Sequence, residues 1–100
     1  MNCVTIVGRV SGLEIKETEN GGKITRISVA VSRNFKNING EYDKDFIPCV
    51  LWSGITEKAA EYFQEGDLIG IKGRLQSKEN KIEVVAEKVT FLSSGSKKED

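Results

Sequence analysis

The chain has 100 residues, enough for one domain with a modest core, and its 15 basic and 15 acidic residues leave no formal net charge. Its overall field therefore selects no polyanion, and any such preference must lie in where individual charges sit. No apolar run could span a bilayer, Met1-Asn2-Cys3-Val4 lacks the form of a signal peptide, and there is no His to act as general base, so the composition predicts a cytoplasmic, non-catalytic chain with no membrane contact.

Residues 3–10, Cys-Val-Thr-Ile-Val-Gly-Arg-Val, read as the first strand, with Val4, Ile6, Gly8 and Val10 on one face and Thr5, Val7 and Arg9 on the other. Gly8 inside it signals a bulge or a close backbone approach. Residues 11–23 are polar and end in the turn signal Asn20-Gly21-Gly22, so they read as a loop. The second strand is predicted from Ile24 to Ser32, with Ile27, Val29 and Val31 inward and Arg26, Ser28, Ala30 and Ser32 outward. Residues 33–43 form a predicted hairpin loop around Asn39-Gly40.

Asp45 to Trp52 then read as the third strand, with Ile47, Cys49 and Leu51 on one face and Phe46, Pro48, Val50 and Trp52 on the other. Both faces are apolar, so the second needs a cover: another layer, another subunit or a flat ligand. Pro48 cannot donate to a ladder, which predicts a bulge or an edge there. Residues 53–65 show a helical period in Ile55, Ala59 and Tyr62 or Phe63, with Ser53 or Thr56 as N-cap and Gly66 as the stop. The fourth strand is placed at Leu68–Gln76, Lys78-Glu79-Asn80 is a turn, and the fifth strand runs from Lys81 to Leu92 with a split near Glu87-Lys88.

Three strands, one helix and two strands in this length predict an all-β chain with one helix. The expected form is a five-stranded OB-fold Greek-key barrel, with the helix between strands three and four. Residues 1–92 form the predicted domain and 93–100 a polar, disordered tail. Two cysteines without His close no zinc site, and the carboxylates lie in unshielded loops; neither metal nor cofactor is expected.

Between Asn20 and Gly40 lie Lys23, Arg26, Arg33 and Lys36 and no acidic residue. Phe35 follows in the loop, and Phe46 and Trp52 sit on the adjacent strand. Cations beside exposed rings suit a single-stranded nucleic acid: the cations track phosphates while the rings stack on unpaired bases with little sequence preference.

Several segments resemble the bacterial and phage single-stranded DNA-binding proteins, the SSB family. Asn2 to Val10 is similar to that family's Asn-x-Val-x-Leu-x-Gly-Arg-Leu opening. Asp45-Phe46-Ile47-Pro48-Cys49-Val50-Leu51-Trp52 resembles its Asp-Phe-Ile-x-Cys-Val-x-Trp. Ile27 to Lys36, Glu61-Tyr62-Phe63-x-x-Gly66-x-Leu68, Gly73-Arg74-Leu75 and Glu83-Val84-Val85-Ala86 extend the likeness across residues 2–92. The resemblance implies that Phe35, Phe46 and Trp52 stack bases and that Arg9, Arg26, Ser28, Arg33 and Arg74 lie at or beside positions facing the strand. It also implies a nucleoid-associated homo-oligomer, tetramer or dimer, serving DNA replication, recombination and repair.

Departures from the family pattern qualify this. The turn at Lys78-Glu79-Asn80 replaces a longer basic and aromatic hairpin, so wrapping should be shallower. Gln64 and Glu65 replace a basic pair, and the chain ends in Lys97-Lys98-Glu99-Asp100 without the family's partner-recruiting acidic tip. Two rival readings stand beside it: an OB-fold adaptor docking a replication or primosome protein through the same face, and an enzyme subunit or nuclease accessory domain.

Overall fold

A computed structural model describes residues 1–17, 19, 21–52 and 64–94. Five strands form a closed barrel: β1 (Val4–Glu17), β2 (Lys23–Lys36), β3 (Tyr42–Leu51), β4 (Leu68–Lys78) and β5 (Lys81–Ser93). Their order around the barrel is β1-β2-β3-β5-β4, consistent with the OB-fold. All neighbouring pairs are antiparallel except β3 and β5, which run parallel through Cys49–Val84 and Val50–Val85. Of the predicted helix, residues 53–63 lie outside the described residues, as do residues 95–100 of the predicted tail.

One strand closes the barrel by serving two partners. Val4 to Arg9 of β1 pair with β4, and Arg9 to Glu17 pair with β2. The bend is possible because a Cβ on Gly8 would fall on the carbonyl oxygen of Ala30, so only glycine lets the two backbones approach. The bulge itself lies between Val10 and Gly12. At its start β1 is held by an amide: Asn2 Nδ2 donates to the Leu75 carbonyl, and the Leu75 N–H donates to Asn2 Oδ1, both at 2.8 Å. This side chain thus continues the β1–β4 ladder where the backbone leaves it.

On β1, β2 and β3 the core residues are the alternating ones expected, and β4 and β5 complete the set. Val10, Ile27, Val29, Cys49, Leu51, Ile69, Ile71, Val84 and Ala86 form the buried core. Strand lengths differ from expectation. Residues 11–17, predicted as loop, continue β1, with Leu13 packed against the core opposite Ile27. Their polarity hid a strand period, because the far ends of β1 and β2 pair with each other beyond the core. β2 and β3 likewise extend past it to Lys36 and Tyr42. The turn between them is tied by Asn37, whose Oδ1 accepts the N–H groups of Asn39 and Glu41 at 2.8 and 3.0 Å.

Pro48 sits in an unbroken β2–β3 register opposite Ser28, while described pairing of β3 with β5 begins only at Cys49. It is an edge position without a bulge, so the missing N–H interrupts no described ladder. The predicted split of the fifth strand is a register shift: Lys72 opposes Lys88 and Gly73 opposes Ala86, leaving Glu87 as the extra residue. The β4–β5 turn is tight, with Glu79 and Asn80 at φ 51 and 67.

Both cysteines are free, Cys3 exposed and Cys49 buried. Burial pushes the Cys49 thiol up to about 12, so at neutral pH it holds almost no thiolate. Iodoacetamide on the native protein is expected to modify Cys3 alone, with Cys49 reacting only after denaturation. Mass mapping checks this, and equal native rates at the two positions would contradict the burial of Cys49.

Candidate nucleic-acid interface

The outer face of β3 carries Tyr42, Lys44, Phe46, Pro48 and Val50 by strand alternation, with Trp52 just past its end. This face is not uniformly open. Val50 is 2% exposed and lies beside Val85 at 5%. Phe46 and Trp52 are 62% and 49% exposed, and Phe35, near the end of β2, is 69% exposed. The three rings predicted to meet a ligand are therefore outside the core.

Cross-strand register sets what surrounds Phe46. Ala30 stands opposite it, and Arg9 stands opposite Ala30 on β1. Ser28, half-buried, lies between Gly12 and Pro48. Small residues on β2 thus leave a shallow floor between Arg9 and the Phe46 ring. A second row runs Arg26, Val50, Val85, Arg74 across four strands.

The basic side chains turn out to be unequally available. Arg26 Nη1 donates to Glu83 Oε1 at 3.1 Å, and Gln76 Nε2 donates to the other carboxylate oxygen at 3.2 Å. Glu83 is only 8% exposed. Because β3 lies between β2 and β5, the Arg26 side chain must cross β3 to reach it, and so it contributes cover to Val50. A buried carboxylate left without its cation is costly, which ties Arg26 to this pair.

Arg33 is held by Asp45. Its Nη2 donates to Oδ1 at 2.7 Å and its Nε reaches both oxygens at 3.2 Å; Asp43 Oδ2 lies 3.8 Å from Nη1. Hydrogen bonding to Asp45 raises the Arg33 pKa, and the same bonds hold the Asp45 carboxyl below its ordinary value. Since Asp45 is the group with the depressed pKa, the pair persists above the ordinary carboxylate range and is lost as pH falls through the lowered value. Along the chain the second strand shows no acid, yet the pairing of β2 with β3 sets two carboxylates against it.

The remaining predicted cations fall into two groups. Arg9 Nη1 donates to the Gly66 carbonyl at 3.0 Å, securing the loop before β4. Arg74 Nε lies 3.9 Å from Glu87 Oε2 in an exposed pair of little energetic weight. Lys36 Nζ sits 5.9 Å from the Tyr42 ring centroid, where the ring face attracts it without neutralising it. Sequence reasoning passed over Lys44 and Tyr42. Both share the parity of Phe46 on β3, and that alternation was the signal that could have found them.

No group of three or more His, Cys, Asp or Glu able to hold a metal occurs among the described residues. The barrel bears three unshielded rings: Phe46 on the outer face of β3, Trp52 just past its end, and Phe35 near the end of β2. The chain belongs to the single-strand binding protein family, whose profile matches residues 1–92. Single-stranded DNA-binding protein B of Bacillus subtilis is 36% identical to it over 101 residues, covering 91% of this chain and 89% of that relative. Single-stranded DNA-binding protein 1 of Streptococcus agalactiae is 38% identical over 109 residues, covering 99% of this chain and 67% of the relative. Single-stranded DNA-binding protein A of Bacillus subtilis is 39% identical over 102 residues, and the chain spans 59% of its length.

Proposed function

We propose that this protein binds single-stranded DNA with little sequence preference, stacking bases on Phe35, Phe46 and Trp52. The observation that carries this reading is the exposure of all three rings, at 69%, 62% and 49%, in a chain of this family. An exposed ring gains by covering itself with a base, and every base has a face to offer. Lys36, Lys44 and Arg74 neutralise phosphates, since none is locked to a buried or bidentate carboxylate. Arg26 and Arg33 contribute less than their charge suggests. Arg9 and Ser28 line the floor between the rings and β1.

Such a protein coats strands exposed in replication, recombination and repair, and acts in the cytoplasm on nucleoid DNA. Its copies associate, as dimers or tetramers, through the outer face of β1. The domain doing this is residues 1–92.

The test uses Trp52 as its own probe. Titrating oligo-dT is expected to quench indole emission, whereas a duplex of the same length quenches little because its bases are already stacked. Log affinity should fall against log salt with a slope of about −2, from roughly −0.7 for each of the three cations named. Absence of quenching at low salt overturns the proposal.

A further inference from the structure

Arg33 stands beside Phe35 in a groove of about 510 Å³ lined by Val31, Ser32, Arg33, Asn34, Phe35 and Asp45. The β2–β3 register shifts between Ser32 and Lys36, so this stretch of β2 carries extra residues, and such an irregularity re-aims side chains. Asp45, by contrast, lies in regular register opposite Val31. The carboxylate that grips Arg33 is thus fixed by the sheet.

That grip is side-on. Asp45 takes the Nε–H and one Nη2–H of Arg33. A guanidinium has five N–H groups, so one on Nη2 and both on Nη1 remain. The 3.8 Å from Nη1 to Asp43 Oδ2 is an ion-pair distance, too long for a hydrogen bond. The terminal edge of the guanidinium therefore keeps a two-donor fork. Its net surroundings oppose a phosphate, because one cation faces two carboxylates. A neutral group with two adjacent acceptors fits instead.

In an unpaired strand two bases have such an edge: guanine, in O6 and N7, and cytosine, in N3 and O2. Adenine places its amino donor beside both N1 and N7, and the two carbonyls of thymine flank an N–H. Of the two, guanine also offers Phe35 the larger face to stack on. The geometry points to a guanine-preferring subsite, with the base stacked on Phe35 and its O6/N7 edge on the Asp45-held fork of Arg33. This deepens, and rests on, the single-stranded DNA reading: a tolerant binder with one position that reads a base.

The experiment places a single guanine at each position in turn of a short oligo-dT and measures affinity by Trp52 emission. The best-placed guanine is expected to tighten binding about fivefold to tenfold, the lower part of the range for a bidentate contact because the site is half open. Inosine, which keeps O6 and N7, retains the gain; 7-deazaguanine, which lacks N7, loses it. In Asp45→Asn and in Arg33→Lys the guanine-to-thymine ratio falls to near one. That ratio is read within each variant, so overall affinity cancels. Equal affinity for guanine and 7-deazaguanine in the unaltered protein overturns the subsite, as does a ratio unchanged in Asp45→Asn. If oligo-dT itself fails to bind, the underlying reading is what falls.

Discussion

Replacing Phe46 by alanine is expected to weaken oligo-dT binding by about 1–3 kcal/mol, and Trp52→Ala should cost a similar amount. Phe46 is on the outer face of β3 and Trp52 lies one residue past its end; the two are six residues apart, roughly 20 Å at strand spacing. At that separation they meet different bases, so their effects should add. Stability provides the control. Phe46 is 62% exposed and lies outside the core cluster, so its removal should change folding stability by no more than about 0.5 kcal/mol. Binding measured by titration should therefore fall while the melting midpoint holds. If affinity is unchanged in both variants, the rings do not stack bases; if the midpoint drops in step with affinity, they act through the fold.

The largest expected effect on folding belongs to Gly73→Ala. Gly73 pairs with Val4 on β1 and with Ala86 on β5, beside the register shift at Lys72. A Cβ there would fall on the Val85 carbonyl oxygen, and would lie 2.9 Å from that carbonyl carbon and 3.1 Å from Ala86 Cα. All of these are backbone atoms of the strand that supplies Val84 and Ala86 to the core, so none can step aside without opening the β4–β5 ladder. Overpacking of this kind costs about 1–3 kcal/mol or more, and each kcal/mol lowers the midpoint of a domain this size by about 4–8 °C. Gly12→Ala is the contrast. Its Cβ would meet nothing closer than Ser28 Cβ at 3.8 Å, so little change is expected. Equal midpoints for the two variants would contradict the close packing at Gly73.

How much of this was legible beforehand depended on distance along the chain. Counting residues places Phe46 on an outer face, and strand alternation needs nothing else; Trp52 is exposed but lies past the end of β3, where alternation no longer applies. A glycine at position 8 signals a bulge or a close approach; it is the approach, and the bulge lies beside it between Val10 and Gly12. Residues 11–17 look like a loop in the sequence because Glu14, Lys16 and Glu17 are polar; they form strand because β2 satisfies their backbone.

The availability of the basic residues was not legible at all. Glu83 is 57 positions from Arg26, and Asp45 is 12 from Arg33. Only the folded register brings each carboxylate to its guanidinium, so a basic strip in the sequence becomes two ion pairs in the barrel.

The amino-acid order alone determined the alternation along each strand, and with it much of the core and the outward position of Phe46, because that pattern is a property of a single extended strand. The cover over Val50 on the same face and the consecutive burial of Glu83 to Ala86 came from packing. Which cations stay free, how β1 serves two neighbours, and which carboxylate holds Arg33 were decided by strand pairing, since a charge is neutralised by what lies near it in space.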